Sequence, residues 1–231
     1  MRLKRATLFY LLAIGYYYIL NVIGTAFPGI ISQAAWLVQT VQLLSVLAGI
    51  AAVYFYAVFY LVYPREDQLR LKQASMLAVI GTSASLILYL RGLFMVIGGL
   101  RTATYAFSPG LLSSIQSGSF AVIGPVVSWG SSMLILLFFY RFCRCVPSAQ
   151  RRLKNAVLSG FIGALIVVLG KTSLGLVNVI LGDLQWVAEL SHPLQLILTQ
   201  PTTGLAFIAV LYFFLVFYRE QVGPDTPPVN E

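Results

Sequence analysis

The sequence predicts an all-α integral membrane protein, and three observations lead to that fold class. Only 10% of the 231 residues are charged and 59% are hydrophobic, whereas soluble domains carry about 25% charged residues. The apolar residues gather in long runs, and a helix needs about 20 such residues to cross about 30 Å of hydrocarbon. The Lys and Arg residues lie in short blocks between the runs. These properties exclude a soluble globular enzyme and a disordered chain.

Six apolar runs are long enough for transmembrane helices. Within one membrane domain of residues 1–218, they cover 6–24, 35–63, 74–100, 119–140, 156–181 and 194–218. The first run follows the basic segment Met1–Arg5 and lacks a small-residue cleavage site, so we interpret it as a retained helix. Pro193 and Pro201 interrupt the start of the sixth run, which is strongly apolar from Gly204. The polar, Pro-rich residues 219–231 predict a disordered tail.

The positions of the basic residues predict that both termini are cytoplasmic. In that orientation twelve of the fifteen Lys and Arg residues lie in cytoplasmic segments, and only Arg101 lies in an outer loop. Such an excess of Lys and Arg inside is the main determinant of orientation. Clusters of Tyr and Phe end the even-numbered spans on the same side, which is typical of a membrane interface. The charge of +8 therefore predicts a lipid bilayer as the partner and not nucleic acid, which requires a basic binding module.

A short motif recurs where each odd-numbered span begins. The pattern Arg-Leu-Lys-x-Ala occupies Arg2–Ala6, Arg70–Ala74 and Arg152–Ala156. The even-numbered spans also end alike, as in Phe59–Glu66 and Phe214–Glu220. These matches predict three tandem helical hairpins around a pseudo-threefold axis, with a binding site near the midplane as in transporters built from parallel repeats. The alternative is convergence, because the preference for basic residues inside favours the same pattern.

Two cations lie inside spans, where orientation does not explain them. Arg91 and Lys171, together with Asn21, follow the first Arg of their motif copies by 19 to 21 residues and so lie at similar depth. A charge near the bilayer centre costs at least about 2.5–3.5 kcal/mol. Lys171 also shares one helical stripe with Gly160, Ala164, Val167, Gly175, Asn178 and Gly182. Because small residues mark helix–helix contacts, we expect Lys171 to point into the bundle.

Three interpretations of these cations stay open. In the first, the side chains extend toward the interface or bond to carbonyls and Tyr hydroxyls. In the second, they belong to a site for an anionic solute that comprises Arg91, Lys171, Asn21 and Asn178. In the third, a partner membrane subunit supplies the missing carboxylate, because no acidic residue lies in any predicted span.

The residues needed for catalysis or metal binding are missing from the pattern. The one histidine, His192, precedes Pro193 in an outer loop, and no Walker, dinucleotide-binding or zinc motif occurs. Cys143 and Cys145 are too few and too close for a disulfide framework. We interpret them as reduced thiols, with palmitoylation or redox sensing as alternatives. We therefore expect no catalytic residue, no metal site and no cofactor.

The combined pattern predicts a transport or channel-type protein for an anionic or amphiphilic solute. The alternative is a non-catalytic membrane anchor or scaffold subunit of a larger membrane complex, whose partner supplies acidic residues to the cations. A homo-oligomer is compatible with the first of these roles.

Overall fold

Long helices build the described part of the chain. The computed structural model describes the backbone of residues 2–26, 35–64, 68–104, 120–181 and 204–220, and the side chains of 2–19, 40–64, 68–94, 123–173 and 204–220. Within these ranges no strand occurs, and the helices are α1 (Arg2–Ala26), α2 (Ala35–Val62), α3 (Leu69–Thr104), α4 (Phe120–Cys145), α5 (Arg151–Leu181) and α6 (204–220). The all-α fold class is confirmed.

Four of the helices are long and apolar enough to cross a membrane, which indicates a membrane protein. Their candidate spans are Thr40–Val62, Leu69–Phe94, Ile123–Cys145 and Arg151–Ser173, in α2 to α5. Of these, α3, α4 and α5 extend beyond the predicted apolar runs because they continue through flanking polar residues, whereas α2 ends at Val62, within the predicted run 35–63. Thus α3 has 36 residues and a length of about 54 Å, against about 30 Å of hydrocarbon. The count of six spans and the orientation stay predictions.

Some predicted features lie outside the described residues. These are the outer loops with His192, the start of the sixth span before residue 204, and the tail from 221 onward. The first two residues of the predicted tail belong to α6, which continues through 220.

Helices that are consecutive in sequence pack side by side, and α6 completes a closed ring. Contacts join α1 to α2, α2 to α3, α3 to α4 and α4 to α5. The last helix packs on α5, where the Ser159 hydroxyl donates to the Ala209 carbonyl at 3.0 Å. It also packs on α1, where the rings of Tyr18 and Phe207 stack with centroids 3.8 Å apart.

Small residues bring neighbouring helices of the ring close together. A Cβ atom added to Gly163 would lie 2.8 Å from the Ala206 carbonyl oxygen, so α5 and α6 meet backbone to backbone. A Cβ atom on Gly81 would lie 3.2 Å from the Cα atom of Ser131. The Ser131 hydroxyl donates to the Gly81 carbonyl at 2.6 Å. Because lipid provides no hydrophobic drive between helices, such close packing and interhelical hydrogen bonds provide the attraction.

An aromatic cluster fills the ring at the end where the odd-numbered helices begin, here called the basic end. Its members are Tyr10, Phe55, Tyr56, Phe59, Tyr63, Phe138, Phe139, Phe142, Phe213, Phe214 and Phe217. Ring centroids of Phe59 and Phe142 lie 5.3 Å apart, and that of Phe217 lies 6.0 Å from Phe59 and 5.9 Å from Phe142. The three even-numbered helices therefore contact one another across the ring axis at this end.

Candidate functional site

A cavity of about 160 Å³ opens within the ring, on the far side of the aromatic cluster from the basic end. Five helices contribute the described lining residues, which are Tyr10, Ile14, Tyr17, Ser45, Ala48, Gly49, Ala52, Thr82, Ser85, Tyr89, Ser128, Ser131, Ser132, Ile135 and Lys171. Nine of these fifteen carry a hydroxyl group. Ala52 and Ile135 each precede a Phe of the cluster by three residues, so the cluster lies directly beneath the cavity.

The ammonium group of Lys171 lies in this cavity and is bonded to α4. Its Nζ donates to the Ser128 hydroxyl at 2.8 Å, to the Ser132 hydroxyl at 2.8 Å and to the Ser128 carbonyl at 3.1 Å. An ammonium has three N–H donors, so each of them has an acceptor here. The side chain is half-buried and ties α5 to α4. This arrangement agrees with the inward orientation that the small-residue stripe predicts.

The positive charge of Lys171 has no carboxylate beside it in the described lining. Of the fifteen described lining residues, Lys171 alone is charged. The Ser hydroxyls and the carbonyl solvate the ammonium with their dipoles, but they do not neutralise it. A charge in a medium of low dielectric constant interacts more strongly with an opposite charge than it does in water. The described lining therefore presents a positive charge without an opposite charge beside it.

The serine and threonine hydroxyls differ in what they can offer a ligand. Four of them donate to helix carbonyls at 2.6–2.9 Å, namely Ser45, Thr82, Ser131 and Ser132. Ser132 thus accepts a hydrogen bond from Lys171 and donates its own proton to the Ser128 carbonyl. The Ser128 hydroxyl also accepts from Lys171, and a hydroxyl that accepts keeps its proton for another acceptor. Ser128 is therefore the hydroxyl beside the cation that is placed to donate to a ligand.

Tyrosines form the rest of the polar lining. Tyr10 is 8% exposed, and its ring contacts Phe55 and Phe214 of the aromatic cluster with centroids 5.7 and 4.7 Å away. Its hydroxyl has no hydrogen-bond partner among the described residues. Tyr17 and Tyr89 are the other tyrosines of the described lining. Because a buried phenol normally has a partner, the Tyr10 hydroxyl is a candidate ligand contact.

The structure brings one of the four predicted site residues into the described lining. Lys171 lines the cavity, whereas half-buried Arg91 is not among the described lining residues. Asn21 and Asn178 lie on α1 and α5, but their side chains are outside the described set. The ligand-binding role of these four residues stays a prediction.

Tyr89 was not among the predicted site residues, although its position in the motif repeat indicated it. Tyr89 follows the first Arg of its motif copy by 19 residues, the same offset as Lys171 and Asn21 in theirs. Arg91 follows at 21 residues, and two residues correspond to a turn of about 200° around a helix. Similar depth therefore did not mean the same helix face. The three serines within 128–132 were a second signal, since they form a polar group inside an apolar run.

The two cysteines are free thiols that are half-buried near the end of α4. Within the described ranges, no group of three His, Cys, Asp or Glu residues is placed to hold a metal ion.

Comparison with known proteins identifies no relative: no protein-family model, no curated protein and no solved structure matches the chain.

Proposed function

We propose that the chain is a six-span membrane protein that binds an anionic or amphiphilic solute in this cavity and passes it across the bilayer. The observation that carries the proposal is the Lys171 ammonium inside a hydroxyl-lined cavity, without a carboxylate among the described lining residues. An anion that enters gains both charge compensation and hydrogen-bond donors. A cation would be repelled, so the expected solute is negative or carries a negative headgroup.

The environments of the three motif copies support three tandem hairpins. In every copy the Leu and the Ala are buried and the leading Arg is exposed: Leu3, Leu71 and Leu153; Ala6, Ala74 and Ala156; Arg2, Arg70 and Arg152. The pairwise contacts of α2, α4 and α6 within the aromatic cluster are those that a pseudo-threefold axis requires. A site within the ring then corresponds to the central site of a repeat transporter.

Contacts at the basic end support the orientation with both termini cytoplasmic. Lys4 lies over the ring of Tyr218 at 5.5 Å, and Lys72 lies over the ring of Tyr60 at 5.6 Å, measured to the centroids. Basic residues and tyrosines share the headgroup layer on the cytoplasmic side of membrane proteins.

A solute that leaves the cavity toward the basic end has to pass the aromatic cluster. We propose that α4 moves to open this path. Pro125 lies within α4, three residues before Ser128. A proline inside a helix removes one backbone hydrogen bond and permits bending there.

Flux measurements on the full chain in proteoliposomes test the proposal. We expect accumulation of a labelled organic anion, and a loss of at least tenfold in Lys171→Met. Lys154→Met is the matched control, because Lys154 is an exposed lysine on the same helix. Wild-type flux in Lys171→Met, with folding checked by gel filtration, would contradict the proposal. Arg91→Met tests whether the second cation lies on the path of the solute. A loss of flux similar to that of Lys171→Met would mean that Arg91 belongs to that path.

A membrane anchor or scaffold subunit is the second candidate function, and the saturated hydrogen bonding of Lys171 favours it. With three acceptors already present, the side chain can act as a tether between α4 and α5 without any solute. Extraction in a mild detergent followed by native mass measurement separates the two functions. A stable hetero-complex supports the scaffold, whereas a monomer or homo-oligomer contradicts it.

A further inference from the structure

We infer that the cavity takes a small monocarboxylate, an organic anion with one negative charge and an apolar body about the size of a benzene ring. The inference rests on the proposed function and narrows its solute class. Three properties of the cavity lead to it: its net charge, its remaining hydrogen-bond donors and its volume.

One negative charge balances the net charge of the described lining. Lys171 supplies a single positive charge, and the other fourteen described lining residues are uncharged. A monoanion gives a neutral site, whereas a phosphate monoester carries about −1.5 to −2 at neutral pH and leaves an excess negative charge. Burying an uncompensated charge is unfavourable in a medium of low dielectric constant. The charge balance therefore favours a carboxylate over a phosphate.

The hydrogen-bond donors suit a carboxylate, which accepts and never donates when ionised. Lys171 can exchange one of its present acceptors for a ligand oxygen, because Ser128 provides two of the three. The Ser128 hydroxyl then donates to the second oxygen. A neutral amide of the same shape gains neither the charge interaction nor the two acceptor oxygens.

The remaining surface and the volume define the body of the ligand. Ala48, Gly49, Ala52, Ile14 and Ile135 present an apolar surface in the described lining. The volume is about 160 Å³, and an apolar cavity of about 150 Å³ holds benzene. The Lys171 Nζ is bonded to Ser132 as well as to Ser128, and Ile135 follows Ser132 on α4 by three residues, a rise of about 5 Å along the helix. A carboxylate attached to one ring spans this distance together with its contacts.

Tyr10 provides an independent indication that a ligand completes the site. Its phenol is more than nine-tenths buried, lines the cavity and lacks a hydrogen-bond partner among the described residues. A bound carboxylate satisfies this donor, because each ionised carboxylate oxygen accepts more than one hydrogen bond. Replacing Tyr10 by Phe keeps the ring contacts and removes only the hydroxyl, so it isolates that role.

The binding experiment uses the full chain in nanodiscs of zwitterionic lipid and three ligands with the same ring, measured by calorimetry. The probes are benzoate, its neutral analogue benzamide, and phenyl phosphate at a pH of about 8, above its second pKa of about 6. We expect benzoate to bind at least tenfold more tightly than the other two.

In Lys171→Met this preference for benzoate disappears, and Lys154→Met behaves as wild type. Tyr10→Phe weakens benzoate binding three- to tenfold, whereas Tyr140→Phe, at an exposed tyrosine of the basic end, does not.

The outcomes distinguish this inference from the proposed function. If phenyl phosphate binds more tightly than benzoate, and its binding depends on Lys171, the proposed monocarboxylate class is wrong but the anion site remains. If palmitate binds and benzoate does not, only the proposed size limit of the ligand is overturned. If Lys171→Met binds benzoate as tightly as wild type does, the Lys171 site is overturned. If none of these anions binds to the wild-type chain, the proposed function is overturned as well. Ala48→Leu, which fills the apolar side, is expected to weaken benzoate at least fivefold.

Discussion

The two halves of the ring interior differ in their side chains: one is filled by aromatic rings, and the other is lined mainly by hydroxyl groups. At the basic end, the aromatic cluster joins α2, α4 and α6 with closely packed rings, and Phe55, Phe59 and Phe142 are fully buried. Above it, the described lining places hydroxyl groups and one ammonium around an open volume of about 160 Å³. Three helices, α1, α2 and α4, contribute described residues to both halves, so the change occurs along single helices within about two turns.

Apart from Tyr10, which belongs to both halves, this difference separates the residues that hold the helices together from those that are available to a solute. Edge-to-face aromatic pairs add about 0.5–1.5 kcal/mol each beyond the area they bury, and the cluster contains many such pairs. The cavity residues leave space unfilled and a charge unneutralised, which costs stability. We therefore expect substitutions in the cluster to affect folding and substitutions in the cavity to affect binding.

The largest expected effect is that of Phe59→Ala in the aromatic cluster. Phe59 contacts rings from α2, α4 and α6 and is fully buried. Truncating a buried Phe costs about 3–5 kcal/mol because a cavity replaces its contacts. SDS-induced unfolding in mixed micelles measures the change. Leu61→Ala, at an exposed site on the same helix, is expected to stay within about 0.5 kcal/mol of wild type. Equal effects of the two substitutions would mean that the cluster does not dominate stability.

The next effect concerns the close approach of α5 and α6. In Gly163→Ala the new methyl group meets the Ala206 carbonyl at 2.8 Å, so the helices have to separate. Overpacking of this kind typically costs about 1–3 kcal/mol. Gly170→Ala is the control, since a Cβ atom there has nothing within 4 Å. If the control is destabilised as much, the tight contact is not the cause.

A smaller effect is expected for Lys171→Met in the cavity. The variant loses three hydrogen bonds but also removes an unneutralised charge from a region of low dielectric constant. These terms oppose each other, so we expect the free energy of unfolding to change by less than about 1 kcal/mol. The same unfolding assay tests this value. A loss above about 2 kcal/mol would show that Lys171 is chiefly a tether, which favours the scaffold function.

The smallest expected effect is that of Ser131→Ala at the edge between the two halves. Its hydroxyl bonds to the Gly81 carbonyl on α3 at 2.6 Å. Interhelical hydrogen bonds in membrane proteins contribute about 0.6 kcal/mol on average, and we expect that loss. Ser173→Ala removes an exposed hydrogen bond within one helix and should have no measurable effect. A loss above about 1.7 kcal/mol, the upper end of measured values, would mean that Ser131 belongs to the structural half.

Much of the fold could be predicted from the sequence because the bilayer imposes a length and an apolar composition on each helix. The predicted runs 74–100 and 156–181 fall inside α3 and α5. Their helix starts were missed, because the basic first turns reduce the local hydropathy without interrupting the helix. The order of the helices in the ring could not be predicted, and neither could the contacts of the even-numbered helices in the aromatic cluster. Both depend on contacts between residues that are far apart in the sequence, and local sequence patterns do not indicate such contacts.

The site was only partly predictable for a related reason. Lys171 stands out because a charge in an apolar run has few explanations, and the small residues around it indicate its direction. Hydroxyl groups such as those of Tyr10, Ser85 and Tyr89 carry no such signal, because Ser, Thr and Tyr are ordinary residues of membrane helices. Their convergence on one cavity depends on helix rotation, which depth along the chain does not give.

Trp129 makes the tether between α4 and α5 optically visible. Its indole N–H donates to the Thr172 hydroxyl at 3.0 Å, and each partner directly adjoins a member of the Ser128–Lys171 pair. In the proposed binding mode, a solute replaces Ser128 as a hydrogen-bond acceptor of the Lys171 ammonium. We expect this exchange to shift α4 and α5, which carry Trp129 and Thr172. If the proposed solute binds there, we expect the intrinsic fluorescence of Trp129, isolated by replacing Trp36 and Trp186 with Phe, to report occupancy of the cavity in real time and without a label.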